Sequence, residues 1–291
     1  MGKLSVVDGG IFTTIQDAGR HGFRKYGVPT SGAMDIKAFQ LANTLVGNPQ
    51  NLPALECTLK GGCYRFETSA TVALTGADMQ ATLNGETVEL EKAFSVNPQD
   101  ILLLDYAKKG CRAYIGIRGL FDIEKIMDSY STYVVGGFGG FDGRTLKAGD
   151  ELNWLNLNVE ANARSPLNRK KLDYPNKVNV QVSTAPEWNW LDDDSKSFFL
   201  NEVFSISSQS NRMGIRLAGK SLHIPQKHML SSAVIPGIIQ LPSSGHPIVL
   251  MNDGQTIGGY PRIAKVLDKD LWKLAQLKPR DEVTFELNID D

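Results

Sequence analysis

The chain has 291 residues, and its 31 lysines and arginines against 32 acidic residues leave a formal net charge of −1 at pH 7. That balance offers no electrostatic reason for a nucleic-acid partner or an anionic membrane surface. No apolar run reaches membrane-spanning length, and the start, Met-Gly-Lys-Leu-Ser-Val-Val-Asp-Gly-Gly, lacks the apolar core and cleavage site of a secretory signal.

The expectation is a cytoplasmic protein, long enough for one large domain or two ordinary ones, of which two is the better reading. Cys57, Cys63 and Cys111 are odd in number and show no CxxC spacing, so they read as reduced core thiols. His21, His223, His228 and His246 are scattered, and no metal site is expected.

In chain order, the first informative stretch is 14–35, Thr-Ile-Gln-Asp-Ala-Gly-Arg-His-Gly-Phe-Arg-Lys-Tyr-Gly-Val-Pro-Thr-Ser-Gly-Ala-Met-Asp. Gly19, Gly22, Gly27 and Gly32 let the backbone bend close to a ligand. Arg20, Arg24, Lys25 and Tyr26 are donors, and Asp17 and Asp35 are acceptors or bases. The alternative is a loop whose polar groups satisfy one another. The spacing of Ala38, Leu41, Ala42 and Leu45 predicts a helix over 34–46, stopped by Gly47, Asn48 and Pro49, with Ser31 or nearby backbone as its cap. Free N–H groups at that helix start would favour a carboxylate or phosphate.

Short apolar or alternating runs follow at 71–74, 81–83, 101–104 and 113–117, and again at 178–182, 248–251 and 283–287, each bounded by turn residues. Helices are expected at 123–127, 192–200 and 268–276. The run Gly136-Gly137-Phe138-Gly139-Gly140 has no following lysine and reads as a turn or lid rather than a phosphate loop. Leu146-Lys-Ala-Gly-Asp-Glu-Leu152 echoes Leu277-Lys-Pro-Arg-Asp-Glu-Val283, which is either common punctuation or the trace of a duplication into tandem barrels. The expected division is a barrel over 1–155, a linker over 156–175 and a second barrel over 176–291.

The segment 207–219 carries Arg212 and Arg216 four residues apart. Ile215 and Leu217 face away from Arg216 if this is a strand, so one arginine is free for a ligand while the other anchors the turn. Arg212, next to Asn211, is read as the site arginine, because guanidinium matches a carboxylate or phosphate in two parallel bonds. Arg216 is read as an internal bridge to an aspartate. In 236–262 the groups Asn252, Asp253, Gln255, Thr256, Tyr260 and Arg262 crowd a glycine-rich strand end. Asp253 would accept a proton or orient an N–H, and Gln255 would hold a neutral amide, although Asn-Asp-Gly-Gln is also a good hairpin turn. Walker, GxGxxG, GxSxG and HExxH signatures are absent.

Thr14-Ile-Gln-Asp-Ala-Gly-Arg, Tyr26-Gly-Val-Pro-Thr-Ser-Gly-Ala-Met-Asp35, Gly110-Cys-Arg-Ala-Tyr114, Ser131-Thr-Tyr133, Ser210-Asn-Arg-Met-Gly-Ile-Arg-Leu217 and Asp253-Gly-Gln-Thr-Ile-Gly-Gly-Tyr-Pro-Arg262, in this order over nearly the whole chain, resemble the biotin-dependent carboxyltransferase family. Its members include a component of 5-oxoprolinase, a KipA-type partner of a kinase inhibitor and a domain of urea carboxylase. The resemblance implies a mainly β fold with two cyclophilin-like β-barrel subdomains and a few short helices. It also implies a subunit inactive alone, working with the B-type (KipI-like) and A-type subunits of 5-oxoprolinase on a small-molecule substrate. ATP would be shared with a partner, and no biotin would be attached to this chain.

Transferred onto the matching motifs, the expected roles are Lys25, Asp35 and Asp253 as catalytic groups. Arg20, Tyr26, Ser31, Asn211, Arg212, Gln255, Tyr260 and Arg262 are the expected substrate contacts. Among them Arg20 and Lys25 would neutralise phosphate or oxyanion charge, and Arg212 would hold the substrate carboxylate. Alternatives that the resemblance leaves open are transfer of CO₂ to urea or a related amide, and regulatory binding of a kinase inhibitor.

Overall fold

A computed structural model describes residues 1–156, 171–224 and 229–288. By internal contacts the chain forms two compact units, Met1–Arg20 with Ser31–Tyr174, and His21–Thr30 with Pro175–Asp291. The first polar stretch is therefore divided, its middle belonging to the second unit. Most of the expected linker lies outside the described residues. Its far end belongs to the first unit, where the Leu172 N–H donates to Glu91 Oε1 at 3.1 Å and the Tyr174 hydroxyl to Asp35 Oδ2 at 3.2 Å.

In the first unit, short alternating runs pair into two sheets. One has seven strands in the order Leu120–Phe121, Glu151–Leu155, Gly2–Asp8, Cys63–Phe66, Ile101–Leu103, Thr82–Leu83 and Glu86–Thr87. The other has five, Phe12–Gln16, Ala54–Thr58, Lys109–Ile117, Ala70–Asp78 and Ala93–Val96. Their inward residues, among them Leu4, Val6, Ile15, Leu55, Tyr64, Phe66, Leu74, Ile115 and Trp154, form one buried core. Burial of this apolar surface is the main stabilising term, at roughly 25 cal/mol per Å².

Helix α1 (Ile36–Leu45) lies on the outside of the five-stranded sheet and buries Ala38, Phe39 and Ala42 beside Ala54 and Tyr114. The approach is close enough that a Cβ at Gly116 would sit 2.8 Å from the Ala42 carbonyl oxygen. α1 starts later than the spacing predicted, because Asp35 rather than Ser31 is its cap, accepting from the backbone N–H groups of Lys37 and Ala38 at 3.1 and 3.0 Å. The expected helix at 123–127 does not form. Met127 and Asp128 take left-handed φ values of 52° and 59°, and Ile126 bridges to Ser129 in a tight reversal.

The second unit is a closed barrel ordered Lys177–Thr184, Arg262–Val266, Ile238–Gln240, Ile248–Leu250, Gly214–Ala218, Phe204–Ile206 and Glu282–Leu287, the last strand closing in parallel on the first. Helix α2 (Asp193–Asn201) is capped by Asp192 and places Phe199 in a parallel stack on Phe285, centroids 4.7 Å apart. A short helix, α3 (Leu271–Ala275), follows the 3-10 turn Asp268–Asp270. The mainly β expectation, the helix at 192–200 and the helical stretch at 268–276 all hold, with small shifts at their ends.

The echoed heptads are built alike. Lys147 N–H donates to Asp150 Oδ2 at 2.9 Å, and Lys278 N–H to Asp281 Oδ2 at 3.0 Å. Val6 N–H donates to the Asp150 carbonyl and Ile206 N–H to the Asp281 carbonyl, both at 2.8 Å. Gly149 N–H in turn donates to Val6 O, as Arg280 N–H does to Ile206 O, both at 2.9 Å, and both donors have positive φ. One turn, with the same cross-links to a neighbouring strand, introduces Glu151–Leu155 and Glu282–Leu287.

Candidate functional site

The barrel of the second unit sorts its side chains by strand alternation. One rung across four strands, Ile215, Val249, Ile239 and Ala264, is wholly buried. The next, Arg216, Ile248, Gln240 and Arg262, lies on the opposite side of the same strands, with Arg216 exposed, Ile248 and Arg262 partly covered, Gln240 buried and a register shift in the last pair. Gln240 organises this face: Gln255 Nε2 donates to its Oε1 at 2.9 Å, and its own Nε2 donates to the Tyr260 carbonyl at 3.3 Å. A Cβ at Gly258 would lie 2.6 Å from that Nε2, so only glycine fits there without displacing the amide. Arg24 clamps the same region, donating through Nη2 to the carbonyls of Val234 and Gln255. Burial lowers its guanidinium from the ordinary arginine value.

The expected site residues of this unit fall into two classes. Arg212 and Asp253 form a buried fork, Nε to Oδ2 at 2.8 Å and Nη2 to Oδ1 at 3.1 Å, each side chain 6% exposed. This reverses the sequence assignment of the two arginines, since Arg212 is the one in an internal bridge and Arg216 is exposed. The reason is position: Arg212 precedes the strand Gly214–Ala218, within reach of the turn after Ile248–Leu250, while Arg216 lies mid-strand on its outer side. Asn211 Oδ1 accepts from the N–H groups of Met213 and Gly214, shaping the same turn. Arg262 is likewise committed, gripping Glu187 through Nε at 2.8 Å and Nη2 at 2.9 Å, and this pairing holds the Glu187 carboxyl below the usual range. Lys25, Tyr26 and Tyr260 are exposed, and the Lys25 ammonium stands 5.0 Å from the Tyr26 ring centroid.

Beside the polar rung the barrel surface carries a hollow of about 300 Å³. Its walls include Arg216, His246 and Tyr260, together with the hydroxyls of Ser207 and Ser244. Sequence reading missed His246 and misassigned Arg216. The Ile215-Arg216-Leu217 alternation was the signal that placed Arg216 outward, whereas nothing local marks His246.

In the first unit the motif residues form buried networks. Arg20, wholly buried, donates through Nε to the Ile126 carbonyl at 3.1 Å and through Nη2 to the Ser131 carbonyl at 2.9 Å, and its guanidinium lies 4.9 Å from the Phe138 centroid. Asp17 accepts from the hydroxyls of Ser129 and Ser131 and from the Gly19 and Tyr130 N–H groups. Glu56 Oε2 accepts from Met34 N–H and the Tyr114 hydroxyl, which in turn accepts from Asp35 N–H. Burial, with Glu56 and Asp35 beside it, pushes the Tyr114 phenol well above its ordinary value. Asp35 is thus a helix cap inside a hydrogen-bonded core, not a base facing a ligand. Ser31 has φ +53° and a buried Oγ without a hydrogen bond among the described residues. The Gly136–Gly140 run turns back on itself, Tyr133 and Phe138 exchanging both backbone hydrogen bonds and the Gly137 N–H donating to the Val134 carbonyl at 3.2 Å. Among the described residues no group of three His, Cys, Asp or Glu is arranged to hold a metal ion.

Comparison with known proteins matches this architecture over its length. The family profile described as carboxyltransferase domain, subdomain A and B, aligns with residues 26–287. The chain is 40% identical to the C-type subunit of 5-oxoprolinase from Escherichia coli (strain K12), covering 97% of this chain and 90% of that protein. It is 34% identical to urea amidolyase of Saccharomyces cerevisiae, covering 95% of this chain and 16% of that protein. The crystal structure of the K. lactis urea amidolyase superposes with a TM-score of 0.87 at 31% identity, covering 97% of this chain and 18% of that one. With the profile spanning most of the sequence and a 40% identical relative covered almost end to end, the chain belongs to the carboxyltransferase domain family of subdomains A and B.

Proposed function

We propose that the chain acts as a C-type subunit of an ATP-dependent 5-oxoprolinase, opening 5-oxo-L-proline to L-glutamate together with A-type and B-type subunits and inactive alone. The observation that carries this reading is the 40% identity to the E. coli C-type subunit across 90% of that protein. The same name belongs to a Haemophilus influenzae relative at 34% identity over 97% of this chain.

The chemistry fits a divided enzyme. A five-membered lactam is a resonance-stabilised amide, and its hydrolysis is made favourable by coupling to ATP, whose phosphoryl group converts the amide oxygen into a leaving group. Such a site needs cations where negative charge develops and a fixed grip on the substrate carboxylate. ATP is assigned to a surface shared with a partner, because this chain carries no Walker-type phosphate loop of its own. No biotin is assigned to this chain. Dependence on ATP favours the cytoplasm as the place where the complex works. Among the described residues no helix is long and apolar enough to cross a membrane.

A second reading, carboxyl transfer from carboxybiotin to urea or a related amide, is favoured by the TM-score of 0.87 to urea amidolyase, of which this chain spans 18%. Reconstitution separates them. A mixture of the three subunits is expected to release glutamate and ADP from 5-oxo-L-proline only when this chain is present. No release from the complete mixture, with carboxylation in the presence of a biotin carrier and carboxylase, would replace the first reading by the second.

A further inference from the structure

Of the arginines in the polar motifs around 14–35, 207–219 and 236–262, Arg216 is the one whose guanidinium has no partner among the described residues. Arg20, Arg24, Arg212 and Arg262 all donate to carbonyls or carboxylates within their own unit. Arg216 makes no side-chain hydrogen bond or ion pair among the described residues, and it opens into the hollow of about 300 Å³. That size is at the lower end of the ~300–1,000 Å³ usual for small-molecule pockets.

The composition of the wall selects the ligand. Arg216 and His246 are its basic side chains, and it contains no carboxylate, so the field inside favours an anion. The hydroxyls of Ser207, Ser244 and Tyr260 and the amide of Gln209 add neutral hydrogen-bonding groups around it. Ile248 and Pro242 supply an apolar surface against which a small ring can rest. Arg216 is held in place by its backbone: its N–H donates to Ser210 Oγ at 3.0 Å, and its carbonyl accepts from Ser207 N–H at 2.9 Å. The backbone from which the guanidinium extends is therefore fixed by the loop that also forms one wall.

We propose that this hollow is a binding subsite for a small ring-bearing monocarboxylate, with Arg216 taking the carboxylate in a two-bond fork and Tyr260 and the serines meeting the polar edge of the ring. The naming of 5-oxo-L-proline as that ligand rests on the function proposed above; the assignment of the subsite does not. Arg216 replaces Arg212 as the carboxylate-binding group, since Arg212 already has Asp253 as its partner.

The test uses the full chain, alone by titration calorimetry and in the reconstituted complex by kinetics. The probes are 5-oxo-L-proline, 2-pyrrolidinone, which keeps the lactam and lacks the carboxylate, and cyclopentanecarboxylate, which keeps the carboxylate and lacks the lactam. Loss of a charge-assisted fork is expected to weaken a carboxylate ligand by roughly 10- to 100-fold in Arg216→Gln, with Arg216→Lys intermediate and 2-pyrrolidinone unaffected. In the complex the same variant is expected to raise KM for 5-oxo-L-proline more than it lowers kcat. Thermal melts of the variants establish that the barrel is intact. Unchanged affinity and unchanged KM in a folded Arg216→Gln chain overturn the subsite, and so does a chain that binds neither carboxylate alone and shows no KM change in the complex. Binding of cyclopentanecarboxylate that depends on Arg216, without turnover of 5-oxo-L-proline in the complete mixture, keeps the subsite and overturns the functional reading.

Discussion

Arg212 and Arg216 stand four residues apart in one motif and live in opposite surroundings. The first is 6% exposed and locked to Asp253, whereas the second lies on the outer face of the barrel with an open hollow in front of it. Identical side chains thus take a structural and a binding role according to burial. A buried guanidinium requires a permanent counter-charge, while an exposed one can wait for a transient partner.

The largest expected effect breaks this contrast on the buried side. Arg212→Ala leaves the Asp253 carboxylate enclosed without its partner and is expected to cost about 3–5 kcal/mol of stability in urea unfolding, whereas Arg212→Met combined with Asp253→Leu recovers most of the loss. A stable Arg212→Ala chain with normal unfolding would place Arg212 back among the ligand contacts.

The half-buried fork of Arg262 on Glu187 comes next. Arg262→Ala is expected to cost roughly 2 kcal/mol at neutral pH, in the range of hydrogen bonds to charged groups. Because this fork holds the Glu187 carboxyl below its ordinary 4.5, its contribution is complete above that value. It fades as pH falls through the lower folded value. The stability difference between the parent chain and Arg262→Ala should therefore shrink on acidification below about pH 4, and a constant difference would refute the pairing.

A subtler version of the contrast is found in the two matched turns. Arg144 grips Asp150 in a fork at 2.7 and 2.8 Å and lowers its pKa, while burial raises that of Asp281. Asp150 thus stabilises the fold above its ordinary value and loses that contribution as pH falls. Asp281, ionised, opposes folding above its raised value, a cost relieved on acidification. At pH 7, Asp150→Asn is expected to lower the melting temperature by a few degrees, about 1–2 kcal/mol. Asp281→Asn, keeping an oxygen for the Lys278 N–H, should be neutral or slightly stabilising. Equal effects would mean that the turns share environment as well as geometry.

The smallest expected effect is that of Arg216→Gln on stability, within about 0.5 kcal/mol as for an exposed position without partners. Its consequences belong to ligand binding. A larger loss of stability would show that Arg216 is structural after all.

Much of this was written locally in the chain. Alternating runs such as Val178 to Val182 and Val283 to Leu287 became barrel strands, because period-two alternation fits a surface with one buried face. The heptad echo at Leu146 and Leu277 foretold two turns with the same hydrogen bonds, since a turn is specified by its own few residues. The helix expected at 123–127 failed where Met127 and Asp128 adopt left-handed backbone, a local choice that apolar spacing does not reveal.

By itself, then, the sequence determined the mainly β architecture, the family and the segments rich in polar chemistry, because each is a property of short windows and their order. Which polar groups remain available was decided only by tertiary structure. Asp35 became a cap, Arg20 a tie between carbonyls and Arg212 a partner of Asp253, while Arg216 met His246 and Tyr260 across a shared hollow. Pairing of charges depends on distances between residues remote in the chain and on how far water is excluded around them, and neither quantity exists until the strands are in register.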